Sequence, residues 1–370
     1  MNICYAIVEI IEGVGQTTAL SQIVPFNPSK YHSEIVTHRV KKYGSTLFEN
    51  TEIFVSNSYY TSFLNMNLVN YFKKFDIIII KSGMPFFLAA LRSRIPTVYV
   101  LHQPDPIFLF SGKARINRSA ARVLERPILL NRADAIISVS PWVAKWYKDH
   151  FDIDSVVIPD SFDLSVFKPE KKRVALSEHH PKLLCVGDWD GFNGRKRTHE
   201  LIEMVTNFLK EYPDGQLSLV GLNQNHLSEL SSFATKIGVV NGLRLVGKVD
   251  VDGLVNEYTS ADIFVTATLV EGFYRPLIEA FACGVPAVVR DASNVYDPVC
   301  LSTLHHVHAS GAGATYDGSA QSFLSAVENV LKNHNEYSRL GIDYSSRFDN
   351  NKLLPLYFKL FEDVLEKRQS

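Results

Sequence analysis

Short runs of purely apolar residues alternate with longer amphipathic stretches along most of the 370-residue chain, and this alternation limits the fold to few classes. Runs such as Ile77–Ile80 are apolar at every position, which is typical of parallel strands covered on both faces. Amphipathic stretches such as Thr198–Glu211 predict the helices that cover them. The sequence therefore predicts an α/β protein with doubly wound parallel sheets.

The predicted strands fall into two series, separated by a polar, proline-containing stretch near residues 167–181. The first series is 3–10, 53–55, 77–80, 97–101, 135–139 and 155–158. The second is 182–186, 216–220, 243–246, 263–267 and 286–289, with helices over 198–211, 227–237 and 277–283. We therefore predict a first domain over 1–168, a linker over 169–181 and a second domain over 182–349.

Composition excludes several classes of protein. The hydrophobic fraction of 46% and the charged fraction of 21% are those of a folded globular chain, and a net charge of -1 gives no reason to expect nucleic-acid binding. The four cysteines show neither a Cys-x-x-Cys pair nor metal-ligand spacing, which indicates reduced thiols. With no apolar run of roughly 20 residues and no signal-like N-terminus, we expect a cytoplasmic protein.

The segment over 271–286 carries the most information about function. Pro276 is placed to start a helix and Gly284 to end it in a left-handed conformation. The loop before this helix would present backbone N–H groups at the carboxyl end of a strand, where open α/β sheets bind anions. Glu271 and Glu279 lie where both can face one crevice, and their carboxylates suit the hydroxyls of a sugar or ribose.

The sequence from Glu271 to Val289 resembles the Glu-Gly-Phe-Gly-x-Pro-x-x-Glu motif, and its continuation, of the retaining GT-B glycosyltransferases of family four. Weaker matches flank the motif in the same order, over 133–140, 157–163, 245–249 and 261–265. The resemblance implies a GT-B fold, in which two Rossmann-like doubly wound domains face each other across a crevice. We also expect a C-terminal helix over 350–370 to pack back on the first domain.

The resemblance implies an enzyme that moves a sugar from a nucleotide-diphosphate donor to an acceptor hydroxyl with retention of anomeric configuration. The acceptor would be a glycan, a glycolipid or a lipid-linked sugar. Donor contacts would come from Glu279 on the ribose and from Gly272, Phe273, Tyr274, Arg275, Val249, Gly13 and Gly15. The catalytic residues implied are Glu271, Lys196, Arg195 and His102, the last of these near the donor sugar.

Two cations, Arg195 and Lys196, follow the first strand of the second domain, where they would neutralise a departing diphosphate. The family usually has an arginine directly after the glycine that ends this strand, and a lysine several residues later. Here Asp188 occupies the first position and Lys196 matches the second. Arg195 is our candidate to replace the missing arginine.

Two Asp-x-Asp pairs, Asp188–Asp190 and Asp250–Asp252, raise the alternative of a metal-bound nucleotide sugar. The second pair lies where the family has an acidic turn that opens a helix, so helix capping explains it better. We predict neither a metal site nor a cofactor beyond the nucleotide sugar, which is a co-substrate.

The first half of the chain is the more basic: residues 1–168 hold 18 basic and 14 acidic residues, a net +4. Arginines at 115, 118, 122 and 126 would form one stripe on a helix. The stripe is either a solvated face or a dock for an anionic acceptor at the inner membrane surface. Asp105, Arg118 and Arg122 are the candidate acceptor contacts.

Two other functions stay open at this point. A non-catalytic sugar-nucleotide-binding subunit would explain Asp188 and the unusual Tyr274 and Arg275. An epimerase or a phosphorylase would keep the GT-B fold but change the reaction.

Overall fold

The structure is a computed structural model. It describes residues 1–10, 23–24, 31–40, 48, 51–56, 61, 64–104, 130–170, 180–192, 194–239 and 241–369. The chain divides into two compact units: Met1–Phe162 together with Asn350–Ser370, and Asp163–Asp349. Residues 163–168, which we assigned to the first domain, thus group with the second unit. Residues 171–179 of the predicted linker lie outside the described residues.

The first unit is built on a parallel sheet of strand order β3-β2-β1-β4-β5-β6-β7. The strands are β1 (Asn2–Ile10), β2 (His32–Val40), β3 (Glu52–Val55), β4 (Ile77–Ile80), β5 (Thr97–Leu101), β6 (Ala135–Ser138) and β7 (Val156–Val157). The described helices between them are α1 (Met66–Phe72), α2 (Met84–Ser93) and α3 (Pro141–Phe151). All four residues of β4 are buried, as its purely apolar sequence requires.

The second unit has a parallel sheet of strand order β10-β9-β8-β11-β12-β13. Its strands are β8 (Lys182–Val186), β9 (Gln216–Leu222), β10 (Leu243–Gly247), β11 (Ile263–Thr266), β12 (Ala287–Arg290) and β13 (Gly313–Tyr316). Its helices are α4 (Thr198–Glu211), α5 (Gln224–Lys236), α6 (Val251–Ser260), α7 (Arg275–Ala282), α8 (Ser302–Ser310), α9 (Ala320–Lys332) and α10 (His334–Ser345). Leu217, Ile263 and Val288 from three of the strands share one core cluster with Leu201 and Val327 from α4 and α9.

The final helix, α11 (Asn350–Gln369), belongs to the first unit although it follows the second in sequence. Tyr357 is buried and donates a hydrogen bond to the Ile158 carbonyl at 3.4 Å. Arg368 forms an ion pair with Asp134, with Nε and Oδ1 2.8 Å apart. These contacts attach the helix along most of its length.

The prediction of two doubly wound α/β domains is confirmed. Every predicted strand is present, with ends that shift by one or two residues. We did not predict strands β2 and β13 from the sequence. Strand β2 carries His32, Glu34 and Arg39 and is only partly buried, so it lacks the apolar run that marks its neighbours. Strand β13 is four residues long and begins with Gly313.

Candidate active site

The sheet of the second unit reverses its strand order between β8 and β11, which are neighbours. Ligands of open α/β sheets bind at such a switch point, beyond the carboxyl ends of the strands. The two loops that flank it are 187–197, after β8, and 267–274, after β11. These loops carry six of the residues that we predicted for the site: Arg195, Lys196, Glu271, Gly272, Phe273 and Tyr274.

Arg195 and Glu271 form an ion pair across this switch point. The Arg195 Nη1 atom donates to Glu271 Oε2 at 3.0 Å and also contacts the Val270 carbonyl at 3.3 Å. The two loops are joined a second time because the Leu269 amide donates to the Arg195 carbonyl at 2.9 Å. Two of the predicted catalytic residues are therefore in contact, and both side chains keep part of their surface exposed.

Lys196 lies over the glycine that ends β8. A Cβ atom built on Gly187, where φ is +139°, would approach Lys196 Nζ to 3.0 Å. The Asp190 carboxylate fixes the backbone of the cationic pair: Oδ2 accepts from the Arg195 amide at 3.0 Å, and Oδ1 accepts from the Lys196 amide at 3.1 Å. The turn thus places both cations at the carboxyl end of β8.

Glu279 lies one turn inside α7 and is 4% exposed. Its Oε1 accepts from Arg275 Nε at 2.6 Å, and its Oε2 accepts from the Tyr258 hydroxyl at 3.0 Å. The Arg275 side chain is buried too, and its Nη1 has no hydrogen-bond partner among the described residues. We expected Glu279 to face a crevice. In the structure both of its carboxylate oxygens are bonded within the protein.

Tyr274 begins α7 in a left-handed conformation, with φ 51° and ψ 63°. A bulky side chain rarely adopts this conformation, which is strained for residues other than glycine. The ring is buried and its hydroxyl lies 3.1 Å from Thr266 Oγ1 at the end of β11. Burial raises the pKa of this hydroxyl. Packing and a hydrogen bond therefore hold the strained loop in place.

His306, on α8, contacts the backbone of the same loop. It is fully buried on α8, with Nε2 2.6 Å from the Phe273 carbonyl oxygen and Nδ1 2.9 Å from the Tyr344 hydroxyl. Burial lowers the pKa of His306 to about 3, so the ring is neutral. Because the Phe273 carbonyl is an acceptor, Nε2 must carry the proton and Nδ1 accepts from Tyr344. Apart from three histidines within one short helix, nothing in the sequence indicates this role.

Val249 and Asp250 follow β10, at the same edge of the sheet. Asp250 caps α6 by accepting from the Gly253 amide at 2.8 Å, which confirms the capping prediction. Among the residues that the structure describes, no group of three or more His, Cys, Asp or Glu side chains could hold a metal ion.

In the first unit, His102 directly follows β5 and its Nε2 atom is buried. Gly13, Gly15, Asp105, Arg118 and Arg122 lie outside the described residues, so their predicted roles stay predictions. No helix in the described ranges is long and apolar enough to cross a membrane.

Comparison with protein families decides the classification. Residues 167–347 match the family model described as "Glycosyl transferases group 1", and residues 29–166 match "Glycosyltransferase Family 4". Together the two matches run without a gap from residue 29 to residue 347. The chain belongs to the family-four, or group 1, glycosyltransferases.

Several relatives of this glycosyltransferase are known. The D-inositol 3-phosphate glycosyltransferase of Geodermatophilus obscurus is 27% identical over 228 residues, which are 56% of this chain and 49% of that protein. The lipopolysaccharide core biosynthesis mannosyltransferase LpsB of Rhizobium meliloti is 28% identical over 173 residues, 44% of this chain and 47% of that protein. The chain spans about half the length of these curated relatives.

Solved structures show the fold. HepE of Anabaena in complex with UDP-glucose superposes with a TM-score of 0.79 at 18% identity, covering 98% of this chain and 100% of that one. Sucrose-phosphate synthase of Thermosynechococcus elongatus gives a TM-score of 0.76 at 16% identity, with 99% of each chain covered. The chain therefore has the GT-B fold.

Asp188, at the position where the resemblance implies an arginine, is bonded to the start of α5. Its Oδ1 accepts from the Asn223 amide at 3.1 Å and lies 2.7 Å from His226 Nδ1, while its Oδ2 accepts from Asn223 Nδ2 at 3.0 Å. Burial opposes ionisation of this carboxyl, but the bonds from His226 and Asn223 outweigh it and lower the pKa of Asp188. The chain therefore holds an anion at the position where the resemblance implies a cation.

Proposed function

We propose that this glycosyltransferase transfers a sugar from a nucleotide-diphosphate donor to an acceptor hydroxyl with retention of anomeric configuration and without a metal ion. The acceptor hydroxyl would attack the anomeric carbon from the side on which the diphosphate leaves. As the bond from that carbon to the phosphate oxygen breaks, the same oxygen takes the acceptor's proton. The new glycosidic bond then lies on the face that the diphosphate occupied.

In this proposal the charge that grows on the diphosphate is neutralised by Arg195 and Lys196. Cations held in place before the reaction stabilise such charge without reorganisation, which is why their placement matters more than their number. Glu271 would bond hydroxyls of the donor sugar and, through its ion pair, orient Arg195. Glu279 would bind the ribose, since each carboxylate oxygen can accept a further hydrogen bond beside the one from Tyr258 or Arg275.

The observation that carries the proposal is the Arg195–Glu271 ion pair at the switch point, with Nη1 and Oε2 3.0 Å apart. A cation that suits the leaving group thus lies beside a carboxylate that suits the sugar, and this supports the proposal. The pair also supports the idea that Arg195 replaces the arginine whose place Asp188 has taken.

A thermal-shift panel of UDP-, GDP- and ADP-sugars tests donor binding, since a ligand of the native state raises the unfolding midpoint by mass action. We expect one nucleotide series to raise the midpoint and its sugar form to be consumed only when an acceptor is added. Consumption of the donor alone would instead indicate an epimerase. Activity that survives EDTA supports the metal-free mechanism, and loss of activity that Mg²⁺ or Mn²⁺ restores would contradict it.

The position of Asp188 favours a second candidate, a sugar-nucleotide-binding subunit without turnover. Asn223 and His226 hold this carboxylate where the resemblance implies an arginine, and an anion there would not neutralise a departing diphosphate. Tight nucleotide binding combined with sugar transfer at the background rate would support this candidate.

A further inference from the structure

An aspartate lies beside the two cations that would neutralise the departing diphosphate. Asp190 Oδ2 accepts from the Arg195 amide at 3.0 Å, and Oδ1 accepts from the Lys196 amide at 3.1 Å. The same Oδ2 atom is 3.8 Å from Arg195 Nε. By its charge alone this carboxylate opposes diphosphate binding, because it repels an anion that Arg195 and Lys196 would attract. Its place in the site therefore needs another explanation.

The contacts of the two cations leave little net charge at the site. The Arg195 guanidinium lies between two carboxylates, those of Asp190 and Glu271. Two negative side chains thus accompany the two positive ones, and their charges cancel. Attraction by net charge cannot explain how such a site would bind a diphosphate. Donors that are fixed in position before the reaction can, since they stabilise developing charge without reorganisation.

Asp190 acts on the stretch of backbone from which both cations project. One carboxylate bonds two consecutive amides, one oxygen to each, so it sets the orientation of the backbone at 195 and 196. From there Arg195 Nη1 reaches Glu271 Oε2 at 3.0 Å. Lys196 Nζ lies where a Cβ atom on Gly187 would come within 3.0 Å of it. Both cationic groups therefore depend on a turn that Asp190 holds.

Gly194 leaves the space that the Asp190 carboxylate occupies. A Cβ atom built on Gly194 would lie 2.0 Å from Asp190 Oδ1 and 2.5 Å from the Asp190 carbonyl oxygen. The Gly194 amide donates to the Gly191 carbonyl at 3.0 Å, which closes the turn. Any side chain at residue 194 would displace the carboxylate from the two amides. The glycine and the aspartate thus form one arrangement.

The beginning of the loop is attached to α5, so Asp190 starts from a fixed position. Asp188 Oδ2 accepts from Asn223 Nδ2 at 3.0 Å. Trp189 is 2% exposed and packs edge-on against the His226 ring, with the ring centroids 5.5 Å apart. The residues on the N-terminal side of Asp190 are therefore held by packing and by hydrogen bonds.

We propose that Asp190 is a positioning residue for sugar transfer, which holds Arg195 and Lys196 where they meet the departing diphosphate. This inference rests on the proposed glycosyltransferase activity. It gives the Asp188–Asp190 pair a role that involves no metal ion. Asp188 attaches the loop to α5, and Asp190 orients the two cations.

The sign of one effect tests the proposal. UDP, GDP, ADP and their nucleosides are titrated by calorimetry into the wild-type protein and Asp190→Ala. Loss of a negative charge alone would tighten binding of the diphosphate, whereas loss of positioning would weaken it. For the diphosphate that the wild type binds, we expect about tenfold weaker binding, since a hydrogen bond to a charged group contributes roughly that much. Binding of its nucleoside should not change.

The turnover number provides a second readout. The negative charge on the diphosphate is greater in the transition state than in the bound donor, so misplaced cations should affect the reaction more than binding. We therefore expect kcat of Asp190→Ala to fall by a larger factor than its affinity for the diphosphate.

Two further variants separate position from charge. Gly194→Ala keeps the charge of Asp190 but displaces its carboxylate, so it should weaken diphosphate binding in the same direction as Asp190→Ala. The matched control is Asp317→Ala, which removes an exposed aspartate that accepts from the Ser319 amide at 2.8 Å in the turn before α9. This control should leave the affinities for diphosphate and nucleoside unchanged.

The outcomes against the proposal are distinct. Unchanged or tighter diphosphate binding by Asp190→Ala would overturn it. An equal loss of affinity for diphosphate and nucleoside would also overturn it, because general damage to the second unit would then explain the loss. A wild-type protein that binds none of the nucleotides would instead contradict the proposed donor.

Discussion

Arg195 and Glu271 are 76 residues apart in the chain, yet their side chains meet with Nη1 and Oε2 3.0 Å apart. The contact joins the loops after β8 and β11, the two strands between which the sheet of the second unit reverses. A cation and a carboxylate are therefore held together before any substrate arrives, and neither loop can move far without breaking the pair.

The two glutamates of the motif should respond differently to loss of charge. Glu271→Gln should reduce turnover far more than nucleotide affinity, since this carboxylate would orient the reacting sugar and Arg195. Glu279→Gln should mainly weaken nucleotide binding, by about 1–2 kcal/mol for one charged hydrogen bond. Steady-state kinetics and nucleotide titrations measure both effects. Equal losses of nucleotide affinity in the two variants would contradict this division of roles.

The same two variants should also differ in their free energy of unfolding, with the larger loss in Glu279→Gln. Glu279→Gln leaves the buried Arg275 guanidinium without its carboxylate, and breaking a buried pair costs about 3–5 kcal/mol. Glu271→Gln breaks a pair that is partly exposed and should cost about 1 kcal/mol or less. Urea denaturation of both proteins tests this. Comparable free energies of unfolding would mean that the Arg275–Glu279 pair is not required by the fold.

Backbone strain at Tyr274 should destabilise the fold, and packing of its ring should stabilise it. Tyr274→Gly relieves about 1–3 kcal/mol of backbone strain but loses a buried ring worth about 3–5 kcal/mol, so the fold should be destabilised by a small net amount. Tyr274→Phe keeps the ring and the strain and loses one hydrogen bond to Thr266, at about 1 kcal/mol. Thermal unfolding compares them. A glycine variant more stable than wild type would show that packing at this position is weak.

His306 should make the fold sensitive to acid. Its pKa is lowered in the folded protein from 6.5 to about 3, so its contribution is fully present above pH 6.5. As the pH falls from 6.5 towards 3, the unfolded chain binds a proton that the folded protein does not, and stability falls by about 1.4 kcal/mol per pH unit. His306→Gln should remove this part of the pH dependence. Identical pH profiles for both proteins would contradict the assignment.

The arginine stripe over 115–126 should bind anionic membranes if it serves an acceptor there. Wild-type protein should sediment with anionic liposomes at low salt, and both high salt and Arg118→Glu/Arg122→Glu should release it, since each charge contributes about 1 kcal/mol near such a surface. Binding that survives both treatments, or that is absent in the wild type, would assign the arginines to a solvated face.

The sequence was sufficient to predict the two sheets because their central strands are apolar at every position, as in Ile77–Ile80. It also identified the loops of the candidate site, since the spacing of Glu271, Pro276 and Gly284 fixes where a helix begins and ends. Gly284 is left-handed, with φ +78°. These features are local, and local chemistry can be read along the chain.

The side-chain contacts within the candidate site could not be predicted from the sequence alone. Tyr258 meets Glu279 from another helix, and His306 reaches Phe273 across 33 residues. In the sequence Lys81 is an ordinary polar residue after a strand, and only the structure shows that it is buried. Contacts of this kind depend on how elements pack, and no spacing or periodicity encodes them.

The position of α11 determines the order in which the two units can fold during synthesis. Residues 350–370 complete the first unit, yet they leave the ribosome only after the whole second unit has been synthesised. Until then Tyr357 cannot cover Lys81, and Arg368 cannot pair with Asp134. During translation the second unit can therefore fold as a finished domain, while the first must wait, with part of its core uncovered, until residues 350–370 have been synthesised.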